Sequence, residues 1–401
     1  MQFLRKTTFP LRALGLFSAA LLSWQANAQT VGGESPRQLD RLVKETIQPI
    51  MKEHDVPGLA VAVTSEGRQY FFNFGVASKE SGRRVSEKTI FEIGSVSKTL
   101  TATLGAYAQT VGSLSLSDKA SMHLPALAGS SFDGIRLLDL ATYTPGGLPL
   151  QFPDEVTDLD TMIAYFRTWR PAYAPGTHRV YSNPSIGLLG HLTARSMGAS
   201  FQEIMQGKLF PMLGLQHTFI KVPRERMGDY AFGYSKEGKP IRVNPGVLDA
   251  EAYGVKTTAA DMIRFVEANI DGVGLEDSLR RAIAATHTGY HRVGAMTQGL
   301  AWEMYPYPTD LEQLLAGNST EISLKPNRSA KLEPPMPPDG TMLLNKTGST
   351  NGFGAYVAFV PAKRIGVVLL ANKYYPNALR VRAAHRILAE LAERPGTAPS
   401  R

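Results

Sequence analysis

Three short clusters carry the residue types of nucleophilic acyl chemistry. Ser95-Val96-Ser97-Lys98 places a hydroxyl and an amine three positions apart. On a helix that spacing puts both on one face, a turn apart, where the amine can serve the hydroxyl. A serine attacks poorly unless a base lies next to it. At a helix start, free backbone N–H groups and the positive dipole end also favour a developing oxyanion. Tyr181-Ser182-Asn183 brings a phenol, which can act as a base only where cations pull its pKa down from about 10. Its Asn183 amide can both donate to and accept from a substrate amide. Lys346-Thr347-Gly348 offers an ammonium and a hydroxyl that can hold a carboxylate, with a glycine that lets a ligand approach the backbone. Roughly one S-x-x-K arises by chance in a chain this long. A second Y-x-N occurs at Tyr375-Pro376-Asn377, so the information lies in the conjunction of the three clusters.

Other chemistries fall away. The chain has 401 residues and no cysteine, which removes disulfides, thiol nucleophiles and zinc-thiolate or iron–sulfur centres. His287 and His291 are four apart, but no glutamate follows the first, so the metalloprotease pattern fails. There is no G-x-S-x-G elbow. Ser97 stands where a phosphate loop needs glycine before Lys98, and Gly352-Phe353-Gly354 is too short for a dinucleotide fingerprint. No metal or cofactor is expected. The formal net charge is +8, with basic residues scattered rather than in runs. That pattern reads as a solvated cationic surface, not a nucleic-acid site.

The elements that must position these clusters can be read along the chain. With 43% hydrophobic and 19% charged residues, the chain can bury a sizeable core. Arg5, Lys6 and Arg12 precede a mostly apolar run, 13–24, and Ala26-Asn27-Ala28 forms an A-x-A site. This reads as a secretory leader over 1–28, cleaved after Ala28, and its apolar run is too short to span a bilayer. A periplasmic protein, free of the membrane once cleaved, is expected. Ser35-Pro36 reads as the start of a helix. Residues 59–64 and 69–76 read as strands joined at Ser65-Glu66-Gly67. From about 95 to 215 the pattern is mainly helical, and 259–269 is another helix. Residues 342–346, 355–360 and 365–371 read as strands, 377–393 as a closing helix, and the proline-rich 326–338 as irregular. The expected fold is α+β. An antiparallel sheet flanked by helices and built from both ends of the chain (29–110 and 245–401) carries an inserted all-helical domain (111–244).

The order Ser-x-x-Lys, Tyr-x-Asn, Lys-Thr-Gly resembles that of the class C serine β-lactamases, the AmpC-type cephalosporinases. So do Phe91-Glu92-Ile93-Gly94, Leu148-Pro149-Leu150-Gln151-Phe152-Pro153, the run from Leu248 to Lys256, and Lys346 to Gly354. The resemblance covers essentially all of the chain after the leader. It implies that Ser95 is the nucleophile, that Lys98 and Tyr181 share the acid and base work, and that the N–H groups of Ser95 and Ser349 form the oxyanion hole. It further implies that Lys346 and Thr347 receive the substrate carboxylate, with Gly348 in the binding site beside them and Asn377 and Arg380 near the carboxylate. Gln151 and Asn183 would contact the acylamino side chain and Tyr253 would line its pocket. Asn345 departs from members that carry histidine there. The implied partner is a small β-lactam, and nothing requires more than a monomer. A D,D-peptidase, or a sensor that acylates and stops, shares these motifs. A β-lactamase-like esterase usually lacks Lys-Thr-Gly.

Overall fold

The computed structural model describes residues 34–393; the expected leader and its cleavage point lie outside them. The chain divides into compact units between Leu39 and Asp40. Residues 34–39 open the helix Glu34–Glu53, one residue before the expected Ser35 start. The features below belong to the unit from Asp40 onward. No helix among the described residues is long and apolar enough to cross a membrane.

The framework is a nine-stranded sheet. Two strands come early, Gly58–Ser65 and Arg68–Gly75, and seven late: Gly289–Val293, Met296–Gln298, Glu303–Pro306, Ala330–Met336, Met342–Ser349, Gly354–Val360 and Ile365–Ala371. Across the sheet the order runs 330–336, 289–293, 296–298, 303–306, 342–349, 354–360, 365–371, 58–65, 68–75. Every pairing is antiparallel. The early hairpin joins the late strands through Leu59 opposite Ala371 and Ser65 opposite Ile365. Its turn needs positive φ at Glu66 (52°) and Gly67 (75°), the geometry that matches strand twist in a two-residue loop. The sheet is therefore built from both ends of the chain, as its pattern predicts.

Two expectations are corrected. Residues 326–338 are not irregular: 330–336 form the outermost strand, paired to 289–293 with a register shift between Lys331 and Met336. An edge strand tolerates Pro334 and Pro335, because its outer N–H groups are not needed for pairing. The three strands between 289 and 306 were not anticipated. They are five, three and four residues long, too short for an alternating pattern to register.

Every residue of 354–360 and 365–371 is buried, so both faces of the central sheet are covered. Val357, Phe359, Val368 and Leu370 join the main core with Met262, Ile263, Phe265 and Val266 of the helix Ala259–Ile270. The closing helix, Asn377–Glu393, packs against the same two strands.

The helix Ser97–Thr110 is buried from Ser97 to Ala108. Its Thr99, Thr101 and Thr103 are poor helix formers. Burial overrides that preference, and each hydroxyl finds a carbonyl: Val96 at 2.8 Å, Glu251 at 2.6 Å and Thr99 at 2.8 Å. The 3₁₀ turn Gly94–Val96 leads into this helix and presents Ser95.

That turn lies against the end of the strand Met342–Ser349. A Cβ on Gly94 would collide with the Ser349 amide nitrogen. One on Gly348 would collide with the Ile93 carbonyl oxygen and come within 3.0 Å of the Ser95 amide nitrogen. Gly348→Ala should therefore push turn and strand apart and lower stability by about 1–3 kcal/mol. Denaturant unfolding checks this; an unchanged midpoint would contradict the close approach.

Candidate active site

The three sequence clusters meet at one cleft. Ser95 is half-buried on its turn. Lys98, one turn along, is fully buried and donates to Ser95 Oγ at 2.8 Å and to the Ala252 carbonyl at 2.8 Å. The neighbouring Ser97 is no competitor as nucleophile: it is fully buried, and its Oγ accepts the Val255 N–H at 3.1 Å.

Tyr181 precedes the helix Asn183–Ser196, which Ser182 caps by accepting the Ser185 N–H. The Tyr181 ring packs on Tyr143, with centroids 4.9 Å apart. Lys98 Nζ and Lys346 Nζ lie 5.1 and 4.9 Å from its ring centre. Tyr181 Oη is buried and without a hydrogen-bond partner among the described residues.

Electrostatics separate the three groups. Burial pushes the Lys98 amine down to about 8, against a contrary pull from Tyr181, and the Lys346 charge pushes the same way as burial. Burial works to raise the Tyr181 phenol, but Lys346 and then Lys98 outweigh it and hold the phenol below its ordinary value. Lys346 behaves oppositely to Lys98. Burial works to lower it, but Glu303 and then Tyr181 prevail and raise it above its ordinary value. Lys98 is thus the ammonium that loses its proton readily, and Lys346 the one that stays charged.

Glu303 was missed by sequence reasoning. Its carboxylate sits 3.6 Å from Lys346 Nζ and accepts from Arg179 at 2.9 Å. Arg179 is itself almost fully buried and also donates to Gln298 Oε1 at 2.6 Å and to the Ile322 carbonyl at 3.0 Å. A lone glutamate between Trp302 and Met304 was the available signal, since buried charge in an apolar run calls for a partner. Asn345 is buried beside this network, donating to the Glu303 carbonyl at 2.8 Å and accepting from the Tyr356 hydroxyl at 3.1 Å. The histidine-to-asparagine departure therefore falls on a strand-bridging position.

The cleft has two lobes that share Ser95 and Ser349. One, about 160 Å³, is lined by Tyr181, Glu303, Asn318, Lys346, Thr347, Gly348 and Asn377. The other, about 520 Å³, is lined by Gln151, Asn183, Arg242, Tyr253 and Tyr374 among others. The Oδ1 atoms of Asn183, Asn318 and Asn377 are buried without partners among the described residues, as groups awaiting a ligand would be.

Arg380 is the departure. It lines neither lobe and is fully buried, with its Nη atoms donating to carbonyl oxygens and to Ser349 Oγ. The resemblance implied a place near the substrate carboxylate; here the guanidinium sits behind Gly348 and Ser349, next to the cleft wall. His287 and His291 lie apart from the cleft, bonded to Asn269 at 3.0 Å and Ser329 at 2.9 Å, and burial pushes both down to about 4. A separate cavity, about 560 Å³, is lined by Arg264, Glu267 and Arg364 among others and holds none of the three clusters.

Comparison with known proteins agrees with this arrangement. A family model described as Beta-lactamase matches residues 43–392. A β-lactamase of Pseudomonas fluorescens is 56% identical over 351 residues, covering 88% of this chain and 98% of that protein. A solved class C β-lactamase in complex with cefoxitin aligns with a TM-score of 0.87 at 45% identity, covering 88% of this chain and 99% of the other. A protein described as a β-lactamase/D-alanine carboxypeptidase, from Pseudomonas syringae, aligns with a TM-score of 0.87 at 49% identity, covering 89% and 100%. With family, fold and cleft in agreement, the chain belongs to the β-lactamase family, in its class C branch.

Proposed function

We propose that the protein hydrolyses the β-lactam amide of cephalosporins and penicillins through an acyl-enzyme on Ser95. The observation that carries this reading is the convergence of Ser95, Lys98, Tyr181 and Lys346 on one cleft, where Tyr181 Oη and the Oδ1 atoms of Asn183, Asn318 and Asn377 lack partners among the described residues.

The substrate carboxylate enters the smaller lobe, where Lys346 supplies fixed charge and Thr347 and Asn377 supply hydrogen bonds. The acylamino side chain lies in the larger lobe against Gln151, Asn183 and Tyr253. Lys98, already in contact with Ser95 Oγ and easily deprotonated, takes the hydroxyl proton as Oγ attacks the lactam carbonyl. The oxyanion forms between the Ser95 and Ser349 N–H groups. The strand Glu303–Pro306 pairs only as far as Asn345, which leaves the edge of 346–349 open towards the cleft. Tyr181, set between both lysines, passes a proton to the departing nitrogen and afterwards helps to activate the water that releases the product. The protein works in the periplasm, on a small-molecule substrate.

A D,D-peptidase acting on peptide substrates is the second reading, supported by the likeness to the protein described as a β-lactamase/D-alanine carboxypeptidase. Turnover separates the two. Many cycles of nitrocefin hydrolysis per enzyme are expected, with Ser95→Ala losing both turnover and the covalent adduct seen by mass spectrometry. A single stoichiometric burst from the unaltered protein would favour the peptidase.

The charge arrangement also fixes a pH response. Acylation requires neutral Lys98 or ionised Tyr181, and both forms increase as pH rises, so kcat/KM should climb through about pH 8. Lys346 lowers both groups. Removing its charge makes protonated Lys98 easier to keep and the phenolate harder to form. Lys346→Ala should therefore move the acid limb to higher pH, whichever group is the base. An unmoved limb, or one moved to lower pH, would contradict the assigned electrostatics.

A further inference from the structure

Arg380 is a buried cation with no carboxylate paired to it among the described residues, and such a charge is costly to keep. Its hydrogen bonds gather where two neighbouring strands meet the start of the closing helix. Nη1 donates to the Gly348 carbonyl at 2.7 Å, to Ser349 Oγ at 2.9 Å and, at greater length, to the Ala355 carbonyl at 3.3 Å. Nη2 donates to the Tyr375 carbonyl, and Nε is buried without a partner among the described residues. The helix Asn377–Glu393 thus reaches into the sheet at the residues beside Ser95.

The ladder gives that contact a direction. Thr350 N–H donates to the Phe353 carbonyl, and in the same register Gly348 lies opposite Ala355 and Ser349 opposite Gly354. In an antiparallel pair, hydrogen-bonded and non-bonded residues alternate. Even-numbered residues near this end of the strand therefore bond to 354–360, and the Ser349 N–H points the other way, towards the open edge and the cleft. Gly348 C=O and Ser349 N–H belong to one planar peptide unit, so whatever fixes the carbonyl fixes the N–H.

We propose that Arg380 is a positioning residue for the oxyanion hole: as a second, charged donor to the Gly348 carbonyl that the ladder already turns towards 354–360, it stiffens the Gly348–Ser349 peptide with its N–H aimed at the cleft and polarises that N–H into a stronger donor. The inference rests on the acyl-enzyme reading and adds to it the origin of one donor's alignment. A charge-assisted hydrogen bond is shorter and stronger than a neutral one, and bonds in a chain strengthen each other. The cation also sits behind the donor without touching substrate. It therefore acts on the ester carbonyl through the peptide, and its unpaired charge serves the developing oxyanion rather than an internal carboxylate. Ser349 Oγ, held by the same Nη1, is kept from turning across the cleft.

The test uses the full-length protein, acylated by rapid mixing with cefoxitin carrying ¹³C in the lactam carbonyl. Difference infrared spectroscopy reads the stretch of the resulting ester, which falls as hydrogen bonding in the oxyanion hole strengthens. Arg380→Met keeps volume and removes charge and donors; Arg380→Lys keeps the charge. The ester band should move to higher frequency in Arg380→Met and to an intermediate position in Arg380→Lys. The acylation rate constant should fall by on the order of 10–100-fold in Arg380→Met while the Kd of the initial complex stays near that of the unaltered protein. Where Arg380→Met does not fold, the band position in Arg380→Lys decides alone. An unmoved band, with activity lost only in proportion to the unfolded fraction, overturns the inference and leaves Arg380 a structural residue. Absence of any adduct on Ser95 in the unaltered protein brings down the acyl-enzyme reading instead, and mass spectrometry of the same samples distinguishes the two failures.

Discussion

Burying an ammonium group costs several kcal/mol unless partners replace its hydration. This fold buries two, Lys98 and Lys346, on either side of one phenol ring. Much of the site follows from that crowding. The lysines repel each other, so they do not share an ordinary pKa. Glu303 breaks the symmetry because it sits 3.6 Å from Lys346. Lys346 keeps its proton, and Lys98, held by a serine hydroxyl and a carbonyl, yields its own more easily. Tyr181 lies in the combined field and is pulled towards ionisation. One buried carboxylate thus sorts two like residues into a fixed cation and a proton acceptor.

The fold's task is to make that crowding unavoidable. The helix Ser97–Thr110 is buried on every side from Ser97 to Ala108, with its threonine hydroxyls bonded to carbonyls, so it is held in the interior and fixes Lys98 there. The strand carrying Lys346 loses its neighbour after Asn345, and the freed edge is where a substrate can lie beside Ser95. The turn holding Ser95 meets that edge through Gly94 and Gly348, and any side chain at either place would part them. Glu92 adds a further tie. It accepts from Tyr230, from the Val243 N–H and from Thr350, so the loop after the strand is held to the residues before the nucleophile.

Much of this was legible in the sequence, for physical reasons. The long strands 354–360 and 365–371 are apolar at every position because both faces are buried, and the closing helix has a clear stripe. Serine, lysine and tyrosine could be named from type and spacing because nucleophilic catalysis restricts the residues that serve. The sequence did not show what depends on tertiary pairing. The short strands between 289 and 306 carry too few residues for a period, and the edge strand hides behind its prolines. Glu303 and Arg179 give no motif, because an ion pair 124 positions apart leaves no local trace. Arg380 could be named but not placed: a cation near an anionic substrate reads as its ligand until the backbone it clamps is visible.

Two buried cations hold the Tyr181 phenol below its ordinary pKa. Carbon-13 NMR of the protein labelled at tyrosine Cζ, titrated with pH and assigned by Tyr181→Phe, measures this directly. The Tyr181 resonance is expected to move to its phenolate position below pH 10, and to titrate later when Lys346 is replaced by alanine. A Tyr181 signal that stays phenolic to pH 10 and beyond, unaffected by the loss of Lys346, would contradict it.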